Sequence, residues 1–432
     1  MPLNVASTPP ADWKYISEGG SSIVFSYIGT SADFIGTALR LRKIDNRLPY
    51  TEYADGVEES DDPSILFQHR IIEKLVEPQY LPRLESVETD RAWLEQLAKQ
   101  TEEKRPADRR ATDRIDAGRK KAVLATDLVG GLGWAVEIKP KWGFLPTPKY
   151  LSKTTAPVKT QTCRFCMHSH MKTTESEDAA LGYCPLDLYS GDEDRVRKAL
   201  HTLWDIWIGS SGSVNNLKVF VEGGMLKPST LPSTLRPLAG QILSSEDESP
   251  DLDTLRDAFT SALLPVLLKT PVLGLLSKYQ REFDVLDIEG LSALWKQANQ
   301  PLGSPDVPPP VLGAGLKQPS LEEIEAFVEI YLAKHSTMDH DHPDTANLKY
   351  YCIAYLLSAS FKDCSIIIRL QPTKDEVEPW RKTITVIDLD VKSMDRLHKW
   401  EKLDQKIVAE YAVLTDPKRC VDQGLREWAL PA

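Results

Sequence analysis

The apolar residues of this chain change their period part-way along, and that change limits what the chain can fold into. In the first 45 residues they alternate: "WKYISEGGSSIVFSYIG" is followed by "FIGTALRLRK". A period of two marks strands with one buried face. Glu18-Gly19-Gly20-Ser21-Ser22, between the first two runs, reads as a hairpin turn that exposes its backbone. From residue 190 the spacing becomes three and four. "SGDEDRVRKALHTLWDIWIG" sets Val196, Ala199, Leu200, Leu203, Trp204 and Trp207 on one helical face, which predicts core tryptophans rather than cofactor contacts. The Ser190-Gly-Asp-Glu193 ahead of it is a capping-box pattern.

Between these regions, residues 68–83 and 86–105 predict helices, and 106–121 a charge-dense surface segment. "AVLATDL" (122–128) and "GWAVEIKPK" (133–141) predict strands. Downstream, 244–251 and 303–315 read as loops, and Ser320-Leu-Glu-Glu323 as a second capping box. Residues 350–361 form an apolar helix, 364–370 and 383–391 short strands, and 394–413 a closing helix. The fold class is therefore α+β. Residues 1–132 make a β-rich N-terminal lobe, and 133–432 a larger, mostly helical C-terminal lobe with a small sheet.

A chain of 432 residues, 41% hydrophobic and 27% charged, has the composition of an ordinary globular protein with more than one core. No stretch approaches the ~18 apolar residues of a membrane span. "MPLNVASTPPADWKY" lacks the basic and apolar regions of a secretory leader. Six cysteines in a chain this long are read as free thiols in a reducing compartment, so a cytoplasmic or nuclear location is expected. The net charge of −11 argues against nucleic acid or an acidic membrane surface as partner. Any polyanion must be met by a local basic cluster.

"EIKPKWGFLP" (137–146) holds such a cluster. In an extended strand Glu137, Lys139 and Lys141 share one face and Ile138 takes the other. Pro140 removes a ladder donor, which suits an edge strand or a strand end. The residues themselves allow two readings, a solvated edge with gatekeeper charges or an anion site. Other pieces carry chemistry as well. The glycine turn, with Arg40 on the following strand, has the layout of a kinase-like nucleotide lobe, although Gly-Gly turns are common. "VIDLD" places Asp388 and Asp390 on one strand face, a plausible Mg²⁺ position. Asp363, in "SFKDCSI", lies between a buried helix and a buried strand, where a base aimed into a cleft could sit. Lys392 and Arg396 follow Asp388 at steps of four, which on a helix would stack both cations.

In combination, "EGGSS", "LRLRK", "EIKPKWGFLP", "CRFCMHSHMK", "GYCPLDLYSG", "NNLKVF", "KDCSI" and "IDLD" resemble, in order and over nearly the whole chain, the inositol-pentakisphosphate 2-kinases. The resemblance implies a two-lobed fold related to inositol-polyphosphate kinases and protein kinases. It implies transfer of the ATP γ-phosphoryl group, with Mg²⁺, to the 2-hydroxyl of inositol 1,3,4,5,6-pentakisphosphate, giving phytic acid. Five phosphates at about −1.5 to −2 each bring roughly 8–10 negative charges, which only convergent Lys and Arg can hold. Carried over residue by residue, Gly19, Gly20, Ser21 and Ser22 form the loop over the ATP phosphates, with Arg40 in a place usually held by lysine and Asp127 a further nucleotide contact. Lys139, Lys141, His168, Lys172, Asn215, Asn216, Lys392, Arg396 and Arg47 are substrate residues. Asp363 is the base and Asp388 the Mg²⁺ ligand. Trp400 stands where the family leads one to expect a tyrosine.

Cys163, Cys166, His168 and His170 superficially resemble a zinc quartet, but four ligands within eight residues leave little chain to wrap a tetrahedron. Plant members of the family carry a structural zinc. The matching region here offers His335, His340, His342 and Cys352 without a Cys-x-x-Cys pair, so no structural zinc is expected. The expected partners are the small molecules ATP and inositol pentakisphosphate, bound by a monomer without nucleic acid or membrane. The alternative is a non-catalytic inositol-phosphate-binding module of the same fold. A zinc-containing nucleic-acid binder would need a basic face that the net charge disfavours.

Overall fold

The computed structural model describes residues 3–54, 56–175, 180–229, 231–243, 251–300, 309–333, 342–375 and 379–424. His335 and His340 lie outside them. The chain divides into two compact units: 1–136 with 218–227 and 367–385, and the remainder.

In the first unit the alternating opening folds as expected. Strands β1 (Trp13–Glu18), β2 (Ser22–Tyr27) and β3 (Thr37–Asp45) are followed by β4 (Leu84–Glu88), β5 (Asp113–Ile115) and β6 (Lys121–Thr126). They form one sheet in the order β1-β2-β3-β6-β4, with β5 also paired to β3. One face buries Trp13, Phe25, Leu39, Leu41 and Leu124 against Trp93, Leu94 and Leu97 of helix α2 (Arg91–Thr101).

The helix boundaries in this unit differ from those expected. Helix α1 is Pro63–Arg70, started by the Asp62 side chain on Ser64 N. The chain then passes through single 3-10 turns to β4, because Pro78 and Pro82 cannot continue a helix. α2 begins only after Asp90, whose side chain caps Trp93 N. The 106–121 segment is likewise not all surface. It holds a short helix α3 (Ala107–Thr112) and β5, and its Asp113 joins a buried ion network with Glu18, Lys43 and Arg105. Two cations and two carboxylates balance there, which is how charges survive burial.

A second sheet has the order β11-β10-β7-β8-β9. Its strands are β7 (Trp134–Ile138), β8 (Leu217–Val221), β9 (Gly224–Met225), β10 (Ser365–Pro372) and β11 (Trp380–Ile387). β7 is thus the middle strand of five, and the edge-strand reading of "EIKPK" is overturned. Glu137 is buried and accepts from the Ser365 hydroxyl at 3.0 Å. Pro140 does mark a strand end, since β7 stops at Ile138. β11 stops at Ile387, so Asp388 and Asp390 follow the strand rather than share its face.

The second unit is mostly helical. Its helices are α4 (Ala156–Lys159), α5 (Arg164–Glu175), α6 (Pro185–Leu188), α7 (Glu193–Gly209), α8 (Arg236–Ile242), α9 (Leu252–Lys269), α10 (Val272–Glu282), α11 (Asp287–Asn299), α12 (Leu321–Leu332), α13 (Leu348–Lys362) and α14 (Leu397–Ala412). The apolar face expected for α7 is buried in full. Its N-cap, however, is Asp192 rather than Ser190, whose hydroxyl instead donates to Asp187 O. The Ser320–Glu323 capping box forms as expected. α13 packs on α10 through Phe361 and Tyr279, with ring centroids 5.1 Å apart. No single described helix is long and apolar enough to cross a membrane.

Candidate active site

The site is built around Asp363, at the C-cap of α13. Lys392 Nζ lies 2.8 Å from one of its carboxylate oxygens and Lys141 Nζ 3.4 Å from the other. Lys139 is close enough to add to the field on both Asp363 and Lys141. Burial favours the neutral acid, but Lys392 and Lys141 outweigh it and hold the Asp363 carboxyl below the usual carboxylate range. Burial also depresses Lys141 from the usual lysine value, against the attraction of Asp363. The result is an ionised carboxylate ringed by three lysines on a protein of net charge −11. Such a cluster can grip an anion and can take a proton.

The strict alternation of 137, 139 and 141 breaks inside the motif. Lys141 adopts φ 65°, a left-handed conformation that a side chain with a Cβ resists. Buried Gln280 of α10 holds it there. Its amide donates to Lys141 O (3.0 Å) and Phe361 O (3.0 Å) and accepts from Gly143 N (2.7 Å). The Tyr189 hydroxyl also donates to Lys141 O (3.2 Å), and the Tyr183 hydroxyl to Pro140 O (3.1 Å). Neither Gln280 nor Tyr189 was singled out from sequence. The only signal for Gln280 was a polar residue on the apolar face of an amphipathic helix.

Asn216 pairs by backbone with Lys139, whose N–H donates to Asn216 O at 3.0 Å, and its side-chain amide donates to Lys139 O at 3.3 Å. Asn215 beside it is exposed. His168 (half-buried) and Lys172 (exposed) lie one turn apart on α5.

These geometries belong to motifs that match a known family over most of their length. A profile described as "Inositol-pentakisphosphate 2-kinase" matches residues 15–406. The chain belongs to the inositol-pentakisphosphate 2-kinase family. A relative of that name from Cryptococcus neoformans var. neoformans serotype D (strain JEC21) is 36% identical over 93% of this chain and 94% of its own. One from Arabidopsis thaliana is 28% identical over 95% of each, and one from Danio rerio 25% identical over 93% of each.

The other residues that the family resemblance pointed to stand as follows. Gly19 and Gly20 are exposed at the β1–β2 turn, closed by Gly19 N–H to Ser22 O (2.9 Å). A Cβ added at either glycine would meet nothing within 4 Å, so the packing of the chain itself does not require glycine there. Arg40 is half-buried on β3, opposite Val24 and Val123. Asp127 is buried, and one carboxylate oxygen accepts from Val129 N (3.0 Å) and Gly130 N (2.7 Å), shaping the turn after β6. Arg47 is exposed and paired with Asp45 at 2.7 Å. Asp388 and Asp390 are exposed, Asp388 with φ 62°. Residues 388–393 are not helical, so Lys392 and Arg396 do not stack on one helix face. Arg396 is exposed at the N-cap of α14. Trp400 packs on Tyr355, ring centroids 5.9 Å apart.

The local set Cys163, Cys166, His168 and His170 does not come together. Cys163 and Cys166 gather with Cys184 and Cys420 instead, and His170 packs edge-on to Tyr411.

Proposed function

We propose that this chain is an inositol-pentakisphosphate 2-kinase that transfers the γ-phosphoryl group of ATP to the 2-hydroxyl of inositol 1,3,4,5,6-pentakisphosphate, yielding inositol hexakisphosphate and ADP. The observation that carries this reading is the convergence of Lys139, Lys141 and Lys392 on the ionised Asp363. In this reading the lysines bind substrate phosphates, each charge-assisted contact being worth about 1.5–3 kcal/mol. The phosphates then compete with Asp363 for the same ammonium groups. As they draw Lys141 and Lys392 away, the carboxylate becomes the stronger base for the hydroxyl proton. In this reading His168, Lys172, Asn215, Asn216 and Arg396 serve the remaining phosphates.

Mg²⁺ lowers the charge repulsion of phosphoryl transfer when bound. The exposed carboxylates of Asp388 and Asp390 fit it, being hard oxygen donors open to water, which Mg²⁺ retains. The open space above Gly19 and Gly20 suits close approach of phosphates to backbone N–H groups, with Ser21, Ser22 and Arg40 adding donors. Asp127 supports this end by holding the turn after β6. The kinase-like division into lobes 1–132 and 133–432, action as a monomer on small molecules without nucleic acid or membrane, and a cytoplasmic or nuclear location belong to the same proposal. The net charge of −11 supports the absence of nucleic acid and acidic membrane surfaces as partners.

The test is to incubate the protein with MgATP and the pentakisphosphate and separate products by anion-exchange chromatography. Hexakisphosphate formed in step with ADP supports the kinase. Tight pentakisphosphate binding with no product would sink it in favour of a binding module.

A further inference from the structure

Lys362 is the last residue of α13 and the chain neighbour of Asp363, yet its side chain is buried. It is 4% exposed, whereas the Asp363 side chain is 54% exposed. A lysine in the last turn of a helix ordinarily reaches into water, where its charge meets the final carbonyls at little cost. Here the ammonium turns inward. It donates to Asp284, just beyond the end of α10, at 2.5 Å. It also lies over the rings of Trp142, Tyr355 and Phe144, at 4.0, 5.0 and 5.2 Å from their centroids. Trp142 carries a second cation, Arg164, at 5.1 Å.

Stability alone accounts poorly for this arrangement. Burial is the largest influence on both charges, lowering Lys362 and raising Asp284 to about 6, against their mutual attraction. A buried ion pair is often worth no more than well-packed apolar side chains of similar volume, and α13 already packs on α10 through Phe361 and Tyr279. What the pair does supply is location, because a carboxylate and three rings hold one ammonium at one point. Lys362 immediately precedes Asp363, and Trp142 immediately follows Lys141. The contact between Lys362 and Trp142 therefore joins the chain one residue back from each side of the 3.4 Å contact between Asp363 and Lys141. Gln280 ties the same two segments through Lys141 O and Phe361 O. Lys362 ties them through side chains.

We propose that Lys362, held by Asp284 and by the rings of Trp142 and Phe144, is a positioning residue that fixes Asp363 relative to Lys141. The inference rests on the kinase reading, in which Asp363 takes the hydroxyl proton and Lys141 binds a substrate phosphate. Because the Asp363 side chain is more than half exposed, its direction depends on the backbone at the end of α13. Without the anchor that backbone and the left-handed backbone at Lys141 can shift independently. A displacement of about 1 Å at a reacting group can lower a rate ~10²-fold.

The test compares the full-length wild type with two variants in urea denaturation and in initial rates of hexakisphosphate formation. Lys362→Met combined with Asp284→Leu removes both buried charges and refills their space, so a merely structural role is repaired and the denaturation midpoint should stay near wild type. Trp142→Leu leaves the ion pair whole and removes the link to the Lys141 segment; Trp142 is only half-buried, so this variant keeps the proposal testable if the double variant does not fold. In both, kcat should fall about 10- to 100-fold while KM for ATP stays near the wild-type value. A folded variant of either kind with wild-type kcat would overturn the proposal, as would a loss of kcat matched by an equal rise in KM for ATP, which marks general damage. A wild type that makes no hexakisphosphate would instead overturn the kinase reading and the proposal with it.

Discussion

Replacing Gln280 with leucine should damage the substrate site from behind. The side chain is fully buried, and its amide serves Gly143 N, Lys141 O, Phe361 O and the Tyr189 hydroxyl at 2.7–3.1 Å. Leucine fills much of the volume but makes none of these bonds. Gly143 N–H loses its acceptor, and an unsatisfied buried donor costs about 1–3 kcal/mol. The two carbonyls lose less, because Lys141 O keeps the Tyr189 hydroxyl and Phe361 O keeps the Cys364 thiol at 3.1 Å. At about 0.5–1.5 kcal/mol each, the total comes to roughly 2–6 kcal/mol of stability. Part of that loss bears on function. The left-handed backbone at Lys141 is disfavoured by about 1–2 kcal/mol, and Gln280 opposes its relaxation. If the residue relaxes, its ammonium leaves the cluster, and KM for the pentakisphosphate should rise about tenfold, equivalent to ~1.4 kcal/mol. The assay pairs urea denaturation with initial rates of hexakisphosphate formation at varied substrate. A variant that is folded under assay conditions yet keeps the wild-type KM would refute the positioning argument, whatever its stability.

Four further outcomes follow from the same geometry. Lys141→Ala and Lys139→Ala should each weaken pentakisphosphate affinity about ten- to a hundredfold with folding retained, as both lie beyond the end of β7; unchanged kinetics would leave the lysines as mere surface charge. Asp363→Asn should lower kcat by about 10²–10⁴ with a far smaller change in affinity, and a near-normal rate would remove Asp363 from the mechanism. Lys392→Ala should move the acid limb of the kcat/KM profile to higher pH. If Asp363 is the base, it acts in its ionised form with its pKa held down by Lys392 and Lys141, so activity falls as pH drops through that pKa, and losing one cation raises the pKa; an unmoved limb contradicts the assignment. Glu18→Gln leaves the buried Lys43 and Arg105 with Asp113 as their one shared carboxylate, Glu102 touching Arg105 alone, and should cost about 3–5 kcal/mol in chemical denaturation, where a wild-type midpoint would show the network to be dispensable.

What the sequence determined by itself was whatever depends on neighbours within a turn or a hairpin. Alternation placed β1, β2 and β3, the apolar spacing placed the buried face of α7, and the Ser320–Glu323 box started α12. Linear motifs such as "EIKPKWGFLP" also pointed to the family and to Lys139, Lys141, Asp363 and Lys392 as site residues. Tertiary structure decided the rest. Whether "WAVEI" lies at an edge or in the centre depends on β10, more than two hundred residues away, and nothing within the strand records that partner. Alternation placed Lys139 and Lys141 on one strand face, but the chain turns left-handed at Lys141 because Gln280, from α10, can satisfy the backbone there. Cys163 and Cys166 looked like half of a local set until folding brought Cys184 and Cys420 to them. A local pattern reports which face of a segment is buried and how its ends are capped. Which distant donor, acceptor or thiol meets that face is set by the closure of loops hundreds of residues long, and only the folded chain carries that information.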